Sequence, residues 1–426
     1  KPSIIKVTTT IGYGSPNKGD TAGVHGAPLG EDETVLTRQQ LGWEYGPFEV
    51  PQEAYDQFRQ AIDRGASLEA EWNQTLATYR TQFPAEAAEF ERMLRGELPE
   101  GWDKDLPTAG PDEKGLATRK HSQICLGALG PNLPELIGGS ADLTHSNYTD
   151  IKGETGSYQP ETPEKRYLHF GVREHAMAAI LNGIAYHDSG LIPYGGTFLV
   201  FADYMRGSMR LSALSELGVI YVLTHDSIGV GEDGPTHQPV EHLATLRAIP
   251  GLLVFRPADL AETAEAWELA LEHDGPSVLA LSRQKVPALR RLIGENYSAT
   301  GGYIFRPAMD ERKVTLISSG TELSLAVEAQ EELEREHGIP TAVVSLISWE
   351  LFEQQPAHYR EEVLSPGSLR IAVEAGSDFG WRRWLREYDH FIGVGDQFGA
   401  SAPAEQLYEH FGITKDAIVQ SVLDRL

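Results

Sequence analysis

The strongest constraint on the fold is an alternation of short apolar runs with amphipathic helical patterns, which extends from about residue 115 to residue 298. The helical patterns cover 118–129, 174–187 and 261–273, and the strand-like runs cover 135–138, 167–170, 218–224, 252–256 and 277–282. Strands that are regularly separated by helices are typical of a parallel sheet with helices on both faces. We therefore predict an α/β domain over residues 115–300, with its ligand site outside the carboxyl ends of the strands.

A second α/β pattern follows the glycine pair at 301–302. Its strand-like runs cover 314–318, 341–347 and 370–374, and its helical patterns cover 322–337, 402–411 and 415–426. Gly338 directly after the first of these helices is a typical helix end. The segment shows no cluster of His, Cys or carboxylate residues at ligand spacing. We predict a second parallel-sheet domain over residues 301–426, with a structural or dimer-supporting role.

The first 114 residues follow a different pattern. A β-rich run at 3–11 precedes a loop rich in Gly, Pro and Asn, and helical patterns follow at 52–64, 67–83 and 84–95. A strand without a helix on either side is an unusual start for a domain, so we interpret residues 1–114 as the tail of a larger α/β domain plus a helical linker. Several Pro and Gly residues between 97 and 114 indicate where the chain crosses to the next domain.

The composition excludes several classes of partner. The 426 residues are 41% apolar and 23% charged, and no apolar run approaches the ~18 residues of a membrane-spanning helix. The net charge of −26 argues against nucleic acid and anionic membranes as partners. The only cysteine, Cys125, excludes an intramolecular disulfide, suits a reducing compartment and lies in an apolar helical context that predicts an inert core thiol.

Glu174 falls in the first turn of the predicted helix 174–187. The simplest role of a glutamate in this position is to complement the helix dipole. Just downstream, Phe198, Phe201 and Tyr204 are spaced three apart along what we predict to be one helical face. Such a face is most often core, but three aromatic rings can also form a flat pocket for a planar ligand ring.

Further candidates lie in loops and at strand ends. His25 and His237 have Gly and Pro neighbours, and such loops let the backbone come close to a ligand. His225 and Arg283 follow predicted strands, as do Asp226 and Arg256. The pair Asp233-Gly234, taken alone, predicts only a turn.

Six sequence blocks occur in one order along the whole chain. They are Val-His25-Gly-Ala-Pro-Leu-Gly, Gly-Gly-Ser-Ala-Asp142-Leu, Phe-Gly-Val-Arg-Glu174-His, Tyr-Val-Leu-Thr-His225-Asp-Ser-Ile-Gly, Gly-Glu-Asp233-Gly-Pro-Thr-His237-Gln-Pro and Leu-Ser-Arg283-Gln. Together these blocks resemble the transketolase family of thiamine diphosphate enzymes, in the form found in plants and cyanobacteria.

The resemblance implies a cofactor role for Glu174, which would donate a hydrogen bond to the aminopyrimidine ring of thiamine diphosphate. That role requires a carboxyl group that stays protonated in an apolar wall. Phe198, Phe201 and Tyr204 would surround the ring, with Phe201 stacking most directly and core packing an alternative for Tyr204. Asp142 would orient cofactor contacts or only cap a turn.

The resemblance also implies substrate contacts. His25 and His237 would contact the carbonyl and hydroxyl groups of the sugar and shuttle protons as C–C bonds form and break. His25 would contact the cofactor as well. Asp233 would hydrogen-bond a sugar hydroxyl group and so select its stereochemistry.

A phosphate site is implied at Arg119, Ser146, His225 and Arg283. Two guanidinium groups suit a phosphate because they bind it bidentately and keep their charge. Either arginine alone could be an exposed residue at the end of an element. His145 stands before Ser146 where many relatives carry Pro, which leaves the geometry of this loop open.

The motif that binds the diphosphate and its metal in this enzyme class is missing from the sequence. It consists of Gly-Asp-Gly followed about thirty residues later by Asn, and the nearest match is Glu232-Asp233-Gly234. We therefore interpret the chain as the C-terminal two-thirds of a transketolase that lacks most of the N-terminal diphosphate-binding domain. The ligands for Mg²⁺ or Ca²⁺ are expected on that domain, none in this chain, and the 426 residues alone are expected to be inactive.

The activity that the resemblance implies is the transfer of a two-carbon ketol unit from a ketose phosphate, such as xylulose 5-phosphate, to an aldose phosphate, such as ribose 5-phosphate. A homodimer in the pentose phosphate pathway or Calvin cycle is implied, in the cytoplasm or, in a plant, the plastid stroma. One alternative is another thiamine enzyme, namely deoxyxylulose phosphate synthase or dihydroxyacetone synthase. The other is an inactive transketolase fragment that serves as an interaction module.

Overall fold

The structure is a computed structural model that describes residues 3–107, 115–290 and 295–426. These residues form two compact units, one up to Ala88 and the other from Glu89 onward. None of the helices in the described ranges combines the length and the apolar character that crossing a bilayer requires.

The first unit is mainly helical. Its helices are α1 (Glu31–Gln40), α2 (Gln52–Gln82) and the start of α3 (Pro84–Leu94). The sequence did not predict α1, and the two helices predicted at 52–64 and 67–83 are one helix of 31 residues. Gly65 lies inside this helix, where a glycine costs only about 1 kcal/mol relative to alanine and therefore does not end it.

The strand predicted at residues 3–11 is wrong. The segment is irregular, and Ile4, Ile5 and Val7 are largely exposed. A strand needs a neighbour to pair its backbone N–H and C=O groups, and no sheet of the described residues includes this segment. The apolar run at residues 3–11 was therefore not enough to predict a strand. The predicted linker is irregular from 97 to 107, and its remainder, 108–114, lies outside the described residues.

The second unit begins with a six-stranded parallel sheet. The strands of this part are β1 (Leu116–Ala117), β2 (Leu136–Ser140), β3 (Tyr167–His169), β4 (Ile192–Phe198), β5 (Ile220–Thr224), β6 (Leu253–Phe255), β7 (Ser277–Leu281) and β8 (Lys285–Val286). The sheet has the order β3-β2-β4-β5-β7-β6, and β1 pairs separately with β8. All its pairs are parallel, as the sequence pattern predicted.

Helices cover both faces of this sheet. They are α4 (Thr118–Leu129), α5 (Thr144–Asn147), α6 (Glu174–Tyr186), α7 (Ala202–Leu214), α8 (His242–Arg247) and α9 (Leu260–Glu272). Alternate side chains of β5 point to opposite faces. Tyr221 and Leu223 pack in the cluster with α6, α7 and α8, whereas Ile220 and Val222 pack in the cluster with α4 and α9. Cys125 of α4 is fully buried in the second cluster, as predicted.

The rest of the unit is built around a second sheet. Its strands are β9 (Tyr303–Arg306), β10 (Val314–Ser318), β11 (Thr341–Ser345), β12 (Leu369–Val373) and β13 (His390–Ile392), in the order β13-β12-β10-β11-β9. The helices are α10 (Leu323–His337), α11 (Trp349–Gln354), α12 (Ala357–Leu364), α13 (Ala404–His410) and α14 (Lys415–Leu423). The sheet is mixed and not purely parallel as predicted, because β9 runs antiparallel to β11. Gly338 ends α10 with a φ of 61°, a conformation that glycine adopts without strain.

Candidate active site

Most of the predicted site residues lie at the carboxyl edge of the six-stranded sheet. Asp142 follows β2, Glu174 begins α6 after β3, Phe198 is the last residue of β4, His225 follows β5 and Arg283 follows β7. Because all six strands run parallel, their carboxyl ends meet at one edge, where ligand sites of such sheets occur. For His225 and Arg283, the sequence pattern predicted this position after a strand correctly.

The three aromatic residues form a row, although not on one helical face as predicted. Phe198 ends β4, Phe201 ends a single 3₁₀ turn, and Tyr204 lies in the first turn of α7. The rings of Phe198 and Phe201 are nearly parallel, at 5° with centroids 5.6 Å apart, and the ring of Tyr204 is 5.9 Å from that of Phe201. Tyr204 is 66% exposed, so the alternative of core packing is wrong for this residue.

His225 stacks on the end of this row. The register of β4 and β5 pairs Phe198 with Thr224, so the next residue after β5 reaches the phenylalanine ring. The two rings lie 3.6 Å apart at an angle of 25°. His225 has a φ of 61°, and its Nδ1 lies 2.8 Å from Thr224 Oγ1. The hydroxyl group of Thr224 in turn accepts a hydrogen bond from the buried Asn147, the last residue of α5, which the sequence did not reveal because no neighbouring residue marks it.

Arg119 joins α4 to this group. Its Nη1 donates to the backbone carbonyl of Ser146 at 2.7 Å and lies 3.3 Å from His225 Nε2. Its guanidinium group also lies over the ring of Tyr148, at 5.1 Å. Within the described residues, the buried Nε of Arg119 has no hydrogen-bond partner. Ser146 thus contacts Arg119 through its carbonyl oxygen, and Arg119 retains donor capacity for a ligand.

Burial, together with nearby positive charges, keeps the ring of His225 neutral. Burial lowers the pKa of His225 to about 3, and the positive charges of Arg119 and Arg283 act in the same direction, as does His237. Burial also lowers the pKa of Arg119, and the charge of Arg283 adds to that effect. Arginine nevertheless stays charged in proteins. Near neutral pH, the site therefore contains two cationic groups beside a neutral imidazole.

His237 also lies beside the aromatic row, with its ring edge-on to those of Phe198 and Phe201. Its ring is 5.6 Å from that of Phe201 at 72°, and its Nδ1 lies 2.9 Å from Thr236 Oγ1. Asp233 belongs to the same loop and is exposed, in the turn that Gly231 and Gly234 close. Arg283 reaches the start of this loop, where it donates to the carbonyl of Val230 at 3.1 Å.

Glu174 is the first residue of α6, and its side chain is largely buried. Among the described residues, its carboxyl group forms no hydrogen bond that the structure records. Asp142 is exposed, has a φ of 63° and likewise has no recorded hydrogen bond. His25 belongs to the first unit, where it is exposed after the 3₁₀ turn at Ala22–Val24.

The chemistry of these residues fits a ligand with a planar ring and an anionic end. The aromatic row offers ring faces, Glu174 offers a carboxyl group that makes no hydrogen bond within the described residues, and Arg119 and Arg283 offer charge. A buried polar atom without a partner is rare in native proteins, so Nε of Arg119 indicates a position where a ligand supplies the partner.

Comparisons with protein-family models and known proteins agree with this arrangement. The transketolase pyrimidine-binding domain matches residues 114–288, and the transketolase-like C-terminal domain matches 301–414. The transketolase thiamine diphosphate-binding domain matches 1–99. The expectation that the chain lacks most of this last domain is therefore not supported, nor is the placement of the metal ligands on a missing domain.

Individual relatives give the same result. The chain is 54% identical over 423 residues to transketolase from Nostoc sp., covering 98% of this chain and 62% of the relative. It is 53% identical to a chloroplastic transketolase of Craterostigma plantagineum, covering 98% of this chain and 81% of the relative. The solved transketolase from Leishmania mexicana superposes with a TM-score of 0.91 at 44% identity, covering 98% of this chain and 61% of that one. The chain thus spans less than two thirds of the Nostoc and Leishmania proteins, and it belongs to the transketolase family.

Proposed function

We propose that this chain is part of an enzyme that transfers a two-carbon ketol unit from a ketose phosphate to an aldose phosphate. The observation that carries the proposal is the carboxyl edge of the first sheet. There, the stacked rings of Phe198 and Phe201 adjoin a neutral His225 that is held between Phe198 and Arg119. The similarity to transketolases over nearly the whole chain supports the same activity.

Thiamine diphosphate is the proposed cofactor. When bound, it supplies a nucleophilic carbon and the electron sink for breaking and forming a C–C bond beside a carbonyl group. Phe198, Phe201 and Tyr204 would hold the aminopyrimidine ring, and the carboxyl group of Glu174 would donate a hydrogen bond to a nitrogen of that ring. Asp142 would contact the cofactor from the end of β2. We propose Mg²⁺ or Ca²⁺ as the metal that accompanies the diphosphate.

The phosphate group of the sugar would bind to Arg119 and Arg283. Both side chains have N–H groups to spare after their contacts with the carbonyls of Ser146 and Val230. The neutral His225 would contact the phosphate through Nε2, the ring nitrogen that lies beside Arg119. Local cationic groups are needed because the net charge of −26 opposes the approach of a dianion.

His237 and Asp233 would bind the sugar itself. The imidazole of His237 adjoins Phe201 and has one ring nitrogen beyond its contact with Thr236. A histidine in such a place can take and return the proton of a substrate hydroxyl group. Asp233, which is exposed in the same loop, would accept a hydrogen bond from another hydroxyl group. We propose that His25 also contacts the carbonyl or hydroxyl groups of the sugar, and that it contacts the cofactor as well.

We further propose that the enzyme is a homodimer built from three segments, residues 1–114, 115–300 and 301–426. Support for the dimer comes from α6 and α7, which expose large apolar side chains on neighbouring helices. Ile180 of α6 and Leu211 and Leu214 of α7 are 49–68% exposed. Val172, just before α6, is 75% exposed. For the location, we propose the cytoplasm or the plastid stroma, since relatives include chloroplastic and cyanobacterial transketolases.

The experiment that tests the function compares two substrate pairs. The chain would be fused to the part of the Nostoc transketolase that has no counterpart in it, and supplied with thiamine diphosphate and Mg²⁺. We expect turnover of xylulose 5-phosphate with ribose 5-phosphate and none of pyruvate with glyceraldehyde 3-phosphate. The opposite preference would identify a deoxyxylulose phosphate synthase and overturn the proposal.

The 426 residues by themselves are expected to be inactive in the same assay, because the Gly-Asp-Gly motif of this enzyme class is missing from their sequence. Isothermal titration of this chain with thiamine diphosphate and Mg²⁺ provides a second readout. Micromolar binding would contradict the expectation and would indicate a diphosphate site within the residues at hand.

A further inference from the structure

A cluster of Asp203, Glu241 and His242 lies beside the candidate active site and has no role in the proposed reaction. Asp203 is in the first turn of α7, Glu241 immediately precedes α8, and His242 is the first residue of α8. One ligand atom of each residue lies within 4.8 Å of the other two. In the described part of the chain, no other group of three His, Cys, Asp or Glu residues meets this condition.

His242 is the unusual member of this cluster. It is only 4% exposed, and within the described residues neither of its ring nitrogens makes a hydrogen bond. Nε2 lies 3.2 Å from Oδ2 of Asp203, but the angle at the ring nitrogen is not that of a hydrogen bond. Nδ1 lies 3.8 Å from Oε2 of Glu241. A buried imidazole without a hydrogen bond is a polar group that lacks a partner.

The spacing of Nε2 and Oδ2 is one that a shared metal ion produces. Zinc binds imidazole nitrogen at about 2.0–2.1 Å and carboxylate oxygen at about 2.0–2.2 Å, so two such ligands at angles between 90° and 109° lie roughly 2.8–3.5 Å apart. The distance of 3.2 Å between His242 and Asp203 falls inside this range. Glu241 is about half exposed, and one of its carboxylate oxygens lies within 4.8 Å of the ligand atoms of the other two residues.

The charges of the cluster also favour a divalent cation. An imidazole that binds a metal is neutral, so as ligands these three groups carry the two negative charges of the carboxylates. Neither carboxylate has an ion-pair partner other than His242 among the described residues. The position at the start of the six-residue α8 slightly disfavours a cation, but the two carboxylates outweigh this effect. An imidazole with two carboxylates suits Zn²⁺, whereas Mg²⁺ prefers oxygen ligands alone.

We propose that Asp203, Glu241 and His242 bind a Zn²⁺-like divalent cation, distinct from the metal that accompanies the diphosphate. Asp203 lies between Phe201 and Tyr204 in sequence, and Glu241 and His242 follow the loop that carries Asp233 and His237. A bound ion therefore connects the segment with the aromatic row to the segment with the substrate loop. It holds His237 near Phe201, where the two rings are already 5.6 Å apart.

The test is a calorimetric titration of the metal-free 426-residue chain with Zn²⁺ in a non-chelating buffer. We expect one equivalent to bind with micromolar affinity, and a large excess of Mg²⁺ to leave that binding unchanged. Asp203→Asn and His242→Gln should each weaken binding at least tenfold. The exposed residues His187 and Glu216 provide matched controls, and His187→Gln and Glu216→Gln should bind Zn²⁺ as the wild type does.

Thermal unfolding provides a readout that does not depend on heats of binding. Because a ligand that binds the folded chain stabilises it, Zn²⁺ should raise the unfolding temperature of the wild type and of both controls, but not that of Asp203→Asn. Asp203 is exposed, so this variant should fold even if His242→Gln does not. An isotherm that Asp203→Asn leaves unchanged, or no binding at millimolar Zn²⁺, would overturn the proposal.

Discussion

At the scale of single residues, His225 shows best what the sequence predicted and what it could not. The strand pattern predicted that His225 follows a strand. The resemblance implied that it lies in one site with Arg119. Its stacking on Phe198 depends on the pairing of Phe198 with Thr224 across β4 and β5. Such a register between distant segments is not visible in one sequence. For the same reason, the carbonyl of Ser146, and not its hydroxyl group, proved to be the partner of Arg119.

We predict that Arg119→Gln raises the pKa of His225 from its value of about 3. Removing a neighbouring positive charge favours the protonated imidazole, but burial, the largest cause of the shift, remains. The rise should therefore stop short of the ordinary value of about 6.5. An NMR titration of labelled histidine would measure it, with the exposed Arg206→Gln as control. An unchanged titration of His225 in Arg119→Gln would show that the arginine does not act on this ring.

At the scale of elements, the helices and strands that the sequence predicted in the second unit lie within a few residues of their observed bounds, but β4, α8, β9, α11, α12 and β13 were not predicted. In the first unit, α1 was not predicted and α2 was predicted as two helices. Residues 118–129 and 314–318 have the predicted bounds, because apolar periodicity and burial on a parallel sheet agree there. Residues 3–11 have the apolar pattern without a partner strand. Strand formation depends on that partner, which the local sequence does not reveal.

Helix α9 supports a prediction about pH. Glu262 of α9 accepts hydrogen bonds from Tyr303 of β9 and Ser345 of β11, at 2.8 and 2.6 Å, and so connects the two sheets. Burial, and secondarily the charge of Asp259, raises the pKa of Glu262 to about 7. Between pH 4.5 and 7 the folded chain thus holds a proton that the unfolded chain releases, so the stability that this group contributes is lost as the pH rises. The buried Asp259, whose pKa is also raised, acts in the same direction.

We therefore expect the unfolding temperature to depend less on pH between 4.5 and 7 in Glu262→Gln than in the wild type. The neutral amide cannot titrate, so its contribution to the slope disappears. Differential scanning calorimetry across this range measures the slope, and Glu272→Gln, an exposed residue at the end of the same helix, is the matched control. Equal slopes for the wild type and Glu262→Gln would contradict the assignment.

At the scale of the whole molecule, a buried ion cluster ties the first sheet to the second. Arg256, which is fully buried after β6, pairs with Asp226 at 2.9 Å and also with Glu322, which immediately precedes α10. Asp226 directly follows His225, so the cluster also supports the site. The sequence placed Asp226 and Arg256 at strand ends, but their partner Glu322 is about 66–96 residues away and no pattern connects them.

Removing Arg256 should destabilise the second unit strongly. Arg256→Ala leaves two carboxylates buried without their partner, and losses of about 3–5 kcal/mol are typical of such a change. Arg335→Ala removes one member of an exposed ion pair with Glu336 and should leave stability unchanged within error. Unfolding by urea, followed by circular dichroism, compares the two variants. Similar midpoints for both would show that the cluster does not stabilise the fold.

The proposed dimer gives a further prediction at this scale. Glutamates in place of Ile180 and Leu211, which are 49% and 52% exposed, should prevent two copies from burying these apolar faces. In sedimentation equilibrium we expect the wild type at twice 46.8 kDa and the double variant at 46.8 kDa. Met309→Glu, at an exposed apolar residue of the second sheet domain, should remain dimeric. A wild-type chain that sediments as a monomer would contradict the dimer proposal.

The central claim is that Glu174 and the aromatic row form the pyrimidine-binding part of a transketolase site. The most direct test is the turnover of xylulose 5-phosphate with ribose 5-phosphate by the fusion with the Nostoc segment, in the presence of thiamine diphosphate and Mg²⁺. Glu174→Ala removes the hydrogen-bond donor and should lower kcat by roughly 10²–10⁴-fold, the usual range for lost acid–base assistance, at an unchanged unfolding temperature. Glu272→Ala, the same change at an exposed position, should retain full activity. Near-normal turnover by Glu174→Ala would contradict the claim.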